Sequence, residues 1–186
     1  RSVNPITLPE ELARQADIFM DNEVSMSPRL AATFGLRYSH FTAVGPSEIR
    51  RYTPNEPRDD FSVEGSSVFA KGEPMKSYGG LEPRLGLRYA IREQTSLKLG
   101  YTLMRQYIQI VSNTTTPIPT SRWKTSDIHI APQVSQLLSG GLYHSFFNDI
   151  YEVTLEAYGR SSQNSIDYKP GADFLLEAFP ETQLVQ

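Results

Sequence analysis

Glu152 and Glu156 stand four residues apart in "YEVTLEAYGR". A pair of carboxylates is what a glycosidase uses to protonate a leaving group and to attack or activate water, at separations of about 5 to 9.5 Å. That segment alternates apolar and polar residues as a strand does, and four residues along a strand span about 13 Å, too far for the pair to work together. The three histidines, His40, His129 and His144, lie on separate segments, whereas a zinc site needs three or four converging ligands. There is no cysteine, which excludes thiolate catalysis, disulfides and cysteine metal sites. No GxSxG, Gly-rich phosphate loop or HExxH occurs. No enzyme activity and no cofactor are therefore expected. Trp123, the only Trp, stands between Arg122 and Lys124 in a long connecting segment. It is a candidate ligand contact, stacking on a sugar or peptide, or else it packs its own loop.

The elements that carry these residues are strands. The 186 residues fit one domain, and 18 basic residues against 21 acidic ones argue against a phosphate-binding surface and hence against nucleic acid. No run reaches the roughly 18 apolar residues of a membrane-spanning helix. A membrane β-strand, however, needs only about 9 to 11 residues with every second one apolar, and mean hydropathy does not detect it. Helical periodicity is nearly absent, its best case being "LPEELARQADIF".

Six runs alternate with period two, at 12–20, 30–40, 81–91, 97–103, 133–145 and 151–160. In the second, Leu30, Ala32, Phe34, Leu36 and Tyr38 share one face and Arg37 the other. In the third, Leu85, Leu87, Tyr89 and Ile91 oppose Glu82, Arg84 and Arg88. In the fourth, Leu97, Leu99, Tyr101 and Leu103 oppose Lys98. In the last, Tyr151, Val153, Leu155 and Ala157 oppose Glu152 and Glu156. The fifth run is mixed, with Val134, Leu138 and Leu142 on one parity and Leu137 and Tyr143 on the other. Short connections at "DNEVSMSP", "REQT" and "FFND" alternate with long ones at about 42–77, 110–132 and 161–186, which gives three long antiparallel hairpins. For the central hairpin, pairing Ile91 with Leu97 stacks Tyr89 on Leu99 and Leu87 on Tyr101. It places Arg88 across from Gly100 and avoids the repulsion of Arg88 opposite Lys98.

Such strands suit either a soluble antiparallel sandwich, used for instance as a carbohydrate-binding module, or a membrane barrel. Their length, the strict alternation of short and long connections, and a polar face dense in Arg and Glu favour the barrel. Arg on the lipid side near the bilayer midplane costs roughly 2 to 4 kcal/mol, so Arg37, Glu82, Arg84, Arg88, Lys98, Glu152 and Glu156 are expected to face a wet lumen. Six strands are fewer than the about eight that close a membrane barrel, so an incomplete up-and-down transmembrane β-barrel is expected.

"LRYSHF" at 36–41, "LEPRLGLRYAI" at 81–91, "SLKLGYTLMRQYIQIV" at 96–111 and "YEVTLEAYGR" at 151–160 resemble, in order and spacing, the TonB-dependent outer-membrane receptors. The resemblance is specifically to the branch with a carboxypeptidase-regulatory-like extension. The resemblance runs from about residue 18 to 172. It implies that residues 1–186 are part of one barrel domain, without the plug and the remaining strands. It also implies a Gram-negative outer-membrane location and uptake of a nutrient. The implied partners are outer-membrane lipid, the rest of the barrel and its plug, a TonB-type energy-transducing complex and a surface lipoprotein. An outer-membrane barrel with a purely structural role shares the same strand pattern.

Overall fold

The computed structural model describes residues 10–111, 122–147, 150–169, 172 and 179–186. All six expected strands form, most of them longer than their alternation indicated. β1 is Leu12–Ser27, β2 Leu30–Val44, β5 Pro74–Arg92, β6 Thr95–Gln106, β9 Gln133–Phe146 and β10 Tyr151–Gln163. They make one antiparallel sheet in the order β1-β2-β5-β6-β9-β10, in which every strand pairs with its sequence neighbour among the six. The sheet is open, with β1 and β10 at its edges, as an incomplete up-and-down barrel requires.

The segment "LPEELARQADIF" is strand from Leu12 onward, not helix. The first turn is also tighter than "DNEVSMSP" indicated. β1 runs on to Ser27, whose Oγ accepts hydrogen bonds from the backbone N–H of Arg29 (3.2 Å) and Leu30 (3.0 Å). That side chain closes the turn around Pro28 and Arg29.

The register of the central hairpin differs from the expected one. Leu87 pairs with Leu99, Tyr89 with Leu97 and Leu85 with Tyr101, so that Arg88 does stand opposite Lys98. The cause is the turn. Glu93 and Gln94 alone connect Arg92 to Thr95, and Ile91 is left out of the ladder as a bulge. The expected pairing needed a three-residue loop instead. Two cations on a water-exposed face repel weakly in high dielectric, and that repulsion is outweighed by the turn geometry.

Each long connection holds further strands. β3, Ser47–Tyr52, pairs with β4, Val63–Phe69, between β2 and β5. β7, Ile108–Val111, pairs with β8, Arg122–Thr125, between β6 and β9. After β10, β11 (Asp167–Tyr168) pairs with β12 (Leu184–Val185), next to a 3₁₀ turn at Pro180–Thr182. The long connections are thus partly strand among the described residues: alternation as short as "IQIV" suffices once a partner strand and a packing surface are supplied.

Two faces result. Cross-strand rows such as Val24–Ala32–Leu87–Leu99 and Leu97–Leu142–Leu155 share one side. This settles the mixed strand β9: Leu138 and Leu142 belong with the apolar residues, and Tyr143 with the polar ones. Many large side chains of the apolar side stay open, from Leu87 at 39% exposed to Ile18 at 72%, while Leu97, Tyr101 and Leu103 are half-buried. The buried clusters lie elsewhere. Phe41, Ala43 and Tyr107 pack with Met75 and Tyr78 on the polar side of the sheet, at its long-loop end. Val111, Ile130 and Leu184 pack with Ile166 and Tyr168 within the loops.

Candidate functional site

Cross-strand partners point to the same side of a sheet, so the register alone places the charged residues singled out from the sequence. Arg37 pairs with Glu82. Arg84 stands between Gly35 and Thr102, and Arg88 between Ala31 and Lys98. Lys98 continues through Gly141 to Glu156, and Glu152 pairs with Ser145. All seven lie on the polar side.

They fall into separate groups. Arg37 donates to Asp17 at 2.9 Å and reaches Glu82 at 4.0 Å. Glu82 is 2% exposed and accepts a hydrogen bond from the Ser39 hydroxyl at 2.5 Å, which in turn meets the Tyr107 hydroxyl at 2.7 Å. Tyr107 stacks on Phe41 with ring centroids 4.9 Å apart. A charge buried this deeply is tolerable because hydroxyl and guanidinium donors surround it. The β5–β6 ladder ends at Arg84 and Thr102, and past that point the Leu81 carbonyl accepts from Arg105 Nη1 at 2.5 Å. Farther toward the short turns, the Lys98 ammonium sits 4.0 Å from the Tyr143 ring centre, and the Tyr143 hydroxyl donates to Glu156. Glu156 is thus held by Tyr143, while Glu152 stands four residues away along β10, opposite Ser145.

Above this face the loop strands make a second polar cluster, which the sequence alone did not indicate. Lys124 is 5% exposed and donates to Glu11 at 2.9 Å and Asp127 at 2.7 Å. Glu11 also accepts from the Thr125 backbone N–H and hydroxyl, each at 2.7 Å, which ties the start of β1 to β8. Asp127 Oδ1 accepts from the N–H groups of His129 (2.8 Å) and Ile130 (2.9 Å). Tyr78 donates to the Asp127 carbonyl at 2.6 Å, joining β5 to the same turn. His129 bonds the Arg50 carbonyl at 2.7 Å and meets the Tyr52 ring edge-on. Tyr52 donates to Glu181 at 3.1 Å, and the Arg50 guanidinium lies 3.6 Å from the Phe179 ring centre. These partners are up to 129 residues apart in sequence, so no local pattern announces them.

Burial, then the nearby Glu181 carboxylate, pushes the Tyr52 phenol well above its ordinary 10. Burial opposes the Lys124 ammonium, but Asp127 and Glu11 outweigh it and hold that group above 10.5. Both groups have raised values in the folded state, so their contribution is complete below the unfolded values and is lost as pH rises through the folded ones. Protection of the loop strands from protease is accordingly expected to stay level from pH 7 to about 10 and to decline above that.

Trp123 is 62% exposed on the outer side of the β7–β8 hairpin, across from Ile110. The three histidines stay apart: His40 is near Thr42, and His144 bonds the Thr95 hydroxyl at 2.8 Å. Among the described residues no group of three or more His, Asp or Glu could hold a metal ion. No helix among them is long and apolar enough to cross a membrane, which does not bear on crossing by strands.

No curated protein and no solved structure matches the chain. A family model does, described as TonB dependent receptor-like, beta-barrel, and it covers residues 3–181. With nearly the whole chain matched and the strands in barrel order, the chain belongs to the TonB-dependent receptor-like β-barrel family.

Proposed function

We propose that this chain is a section of barrel wall in an outer-membrane receptor that takes up a nutrient, with the apolar side against lipid and the polar side lining the lumen. The family is one of receptors and transporters of the Gram-negative outer membrane, which work with a plug domain and a TonB complex. The observation that carries the reading is the segregation of faces across six consecutive long strands. Leu81 and Tyr89 of β5 bound an apolar stretch about 27 Å long, or about 21 Å along the membrane normal at a tilt near 40°, against a band about 25 Å tall in outer-membrane barrels. Arg37, Glu82, Arg84, Arg88, Lys98, Glu152 and Glu156 then line the water-filled side. Trp123 lies among the long loops, which by the barrel rule face outward from the cell and contact the nutrient. Residues 1–186 form part of one barrel domain in this reading.

A soluble sandwich needs a second sheet over the apolar side, whereas the loop strands close over the polar side. The complete receptor is expected in the outer-membrane fraction, released only by detergent. Recovery in the aqueous fraction without detergent would refute the barrel reading.

A further inference from the structure

Most buried or half-buried cations described above have an acidic or carbonyl partner: Arg37 has Asp17 and Glu82, Arg50 has Asp60, Lys124 has Glu11 and Asp127, and Arg105 has the Leu81 carbonyl. Arg84, Arg88 and Lys98, which are exposed, have no ion pair among the described residues, and Lys98 rests on the Tyr143 ring. They are also neighbours, because Arg88 stands directly across from Lys98 and Arg84 is four residues along the same strand. Like charges opposed on a wet face repel weakly, and an anion between them turns that repulsion into attraction.

The floor between the cations is shaped for such a group. The row separating Arg84 from Arg88 is Thr33–Gly86–Gly100–Ser139. Two adjacent glycines leave bare backbone there. The Thr33 hydroxyl lies over Gly86, and the Ser139 hydroxyl lies 2.9 Å from where a Cβ on Gly100 would be. Neither hydroxyl has a hydrogen-bond partner among the described residues. Two guanidiniums, one ammonium and two free hydroxyls thus stand around one row of glycines. Carboxylates do approach this row: Glu82 is two residues from Arg84 on the same strand, and on the β1 side Asp21 Oδ1 lies over Gly35 opposite Arg84 and Glu23 stands across from Thr33. Arg88 and Lys98 have no carboxylate as a direct cross-strand partner. Arginine and hydroxyl donors in this arrangement suit a planar carboxylate or a phosphate.

We propose that Arg84, Arg88, Lys98, Thr33 and Ser139 form an anion-binding site on the lumen wall, taking a carboxylate or phosphate group of a solute. The proposal rests on the barrel reading, since it requires this face to be wet. Its test uses the complete receptor in detergent at low ionic strength, with inorganic phosphate as the probe and its ³¹P line width as the readout. The unaltered receptor is expected to broaden the phosphate line. The Arg88→Gln/Lys98→Gln double variant is expected to bind about tenfold more weakly or worse, as follows from losing charge-assisted hydrogen bonds. Arg37→Gln, which removes a paired cation, is expected to leave the broadening unchanged. Misfolding is separated from loss of the site by thermal unfolding without phosphate, where the double variant is expected to unfold no earlier than the unaltered receptor. No broadening by the unaltered receptor, or equal broadening by the double variant, overturns the site. Lipid exposure at Leu85 and Leu87, measured with spin labels, reports on the barrel separately, so the anion site can fail while the barrel stands.

Discussion

Leu87→Arg is expected to destabilise the barrel by about 2–4 kcal/mol and to lower its level in the outer membrane sharply. Leu87 lies between Ala32 and Leu99, in the middle of the apolar side. An arginine there has no water and no carboxylate to meet, and the long side chain must bend toward an interface. Thr154→Arg supplies the control, because Thr154 pairs with Tyr143 on the polar side, where a cation stays hydrated. That change is expected to fall within about 0.5 kcal/mol of the unaltered protein. Urea titration in lipid bilayers measures both values. Equal tolerance of the two arginines would contradict the assignment of faces.

The same contrast explains what the sequence disclosed. Period-two alternation is a local signal, and it located all six strands of the sheet and the sides on which Arg37, Glu82, Arg84, Arg88, Lys98, Glu152 and Glu156 stand. Register is less local. The expected pairing of Ile91 with Leu97 rested on repulsion between Arg88 and Lys98, yet the two-residue turn and the bulge at Ile91 set the ladder. Opposed cations on a wet face cost too little to override a turn. In β9 the pattern was ambiguous because Leu137 and Tyr143 fall on the parity opposite to Val134, Leu138 and Leu142, and only pairing with β6 and β10 resolved the faces. The loop cluster was not legible at all. Lys124 finds Glu11, 113 residues away, and Tyr52 finds Glu181, 129 residues away, through folding of hairpins whose strands are as short as four residues.

Lys124 carries the second large expected effect. Lys124→Ala leaves Glu11 and Asp127 facing each other in a nearly dry site, and breaking a buried ion pair from one side costs about 3–5 kcal/mol. The damage is expected to be local. Glu11 holds the Thr125 N–H, and Asp127 holds the N–H groups of His129 and Ile130, so these three amides lose protection first. Hydrogen exchange of the complete receptor reads this directly, with β7 and β8 exchanging faster while the paired centre of β5 and β6 is unchanged. Neutralising the whole group, as Lys124→Met with Glu11→Gln and Asp127→Asn, is expected to recover most of the loss. The amide oxygens still accept the backbone hydrogen bonds, and no charge is left unpaired. A triple variant as unprotected as Lys124→Ala would show that the charges themselves hold the loops in place.

The central claim is that one side of this sheet meets lipid and the other water. This chain contains no cysteine, so single cysteines placed in an otherwise cysteine-free receptor carry one spin label each. Labels at 84, 85, 87, 88, 97, 98 and 99 sample both parities of the central hairpin in lipid bilayers. Collisions with oxygen are predicted to dominate at 85, 87, 97 and 99, and collisions with a water-soluble nickel chelate at 84, 88 and 98. Chelate access at all seven positions, or an oxygen profile without the period of two, would contradict the account.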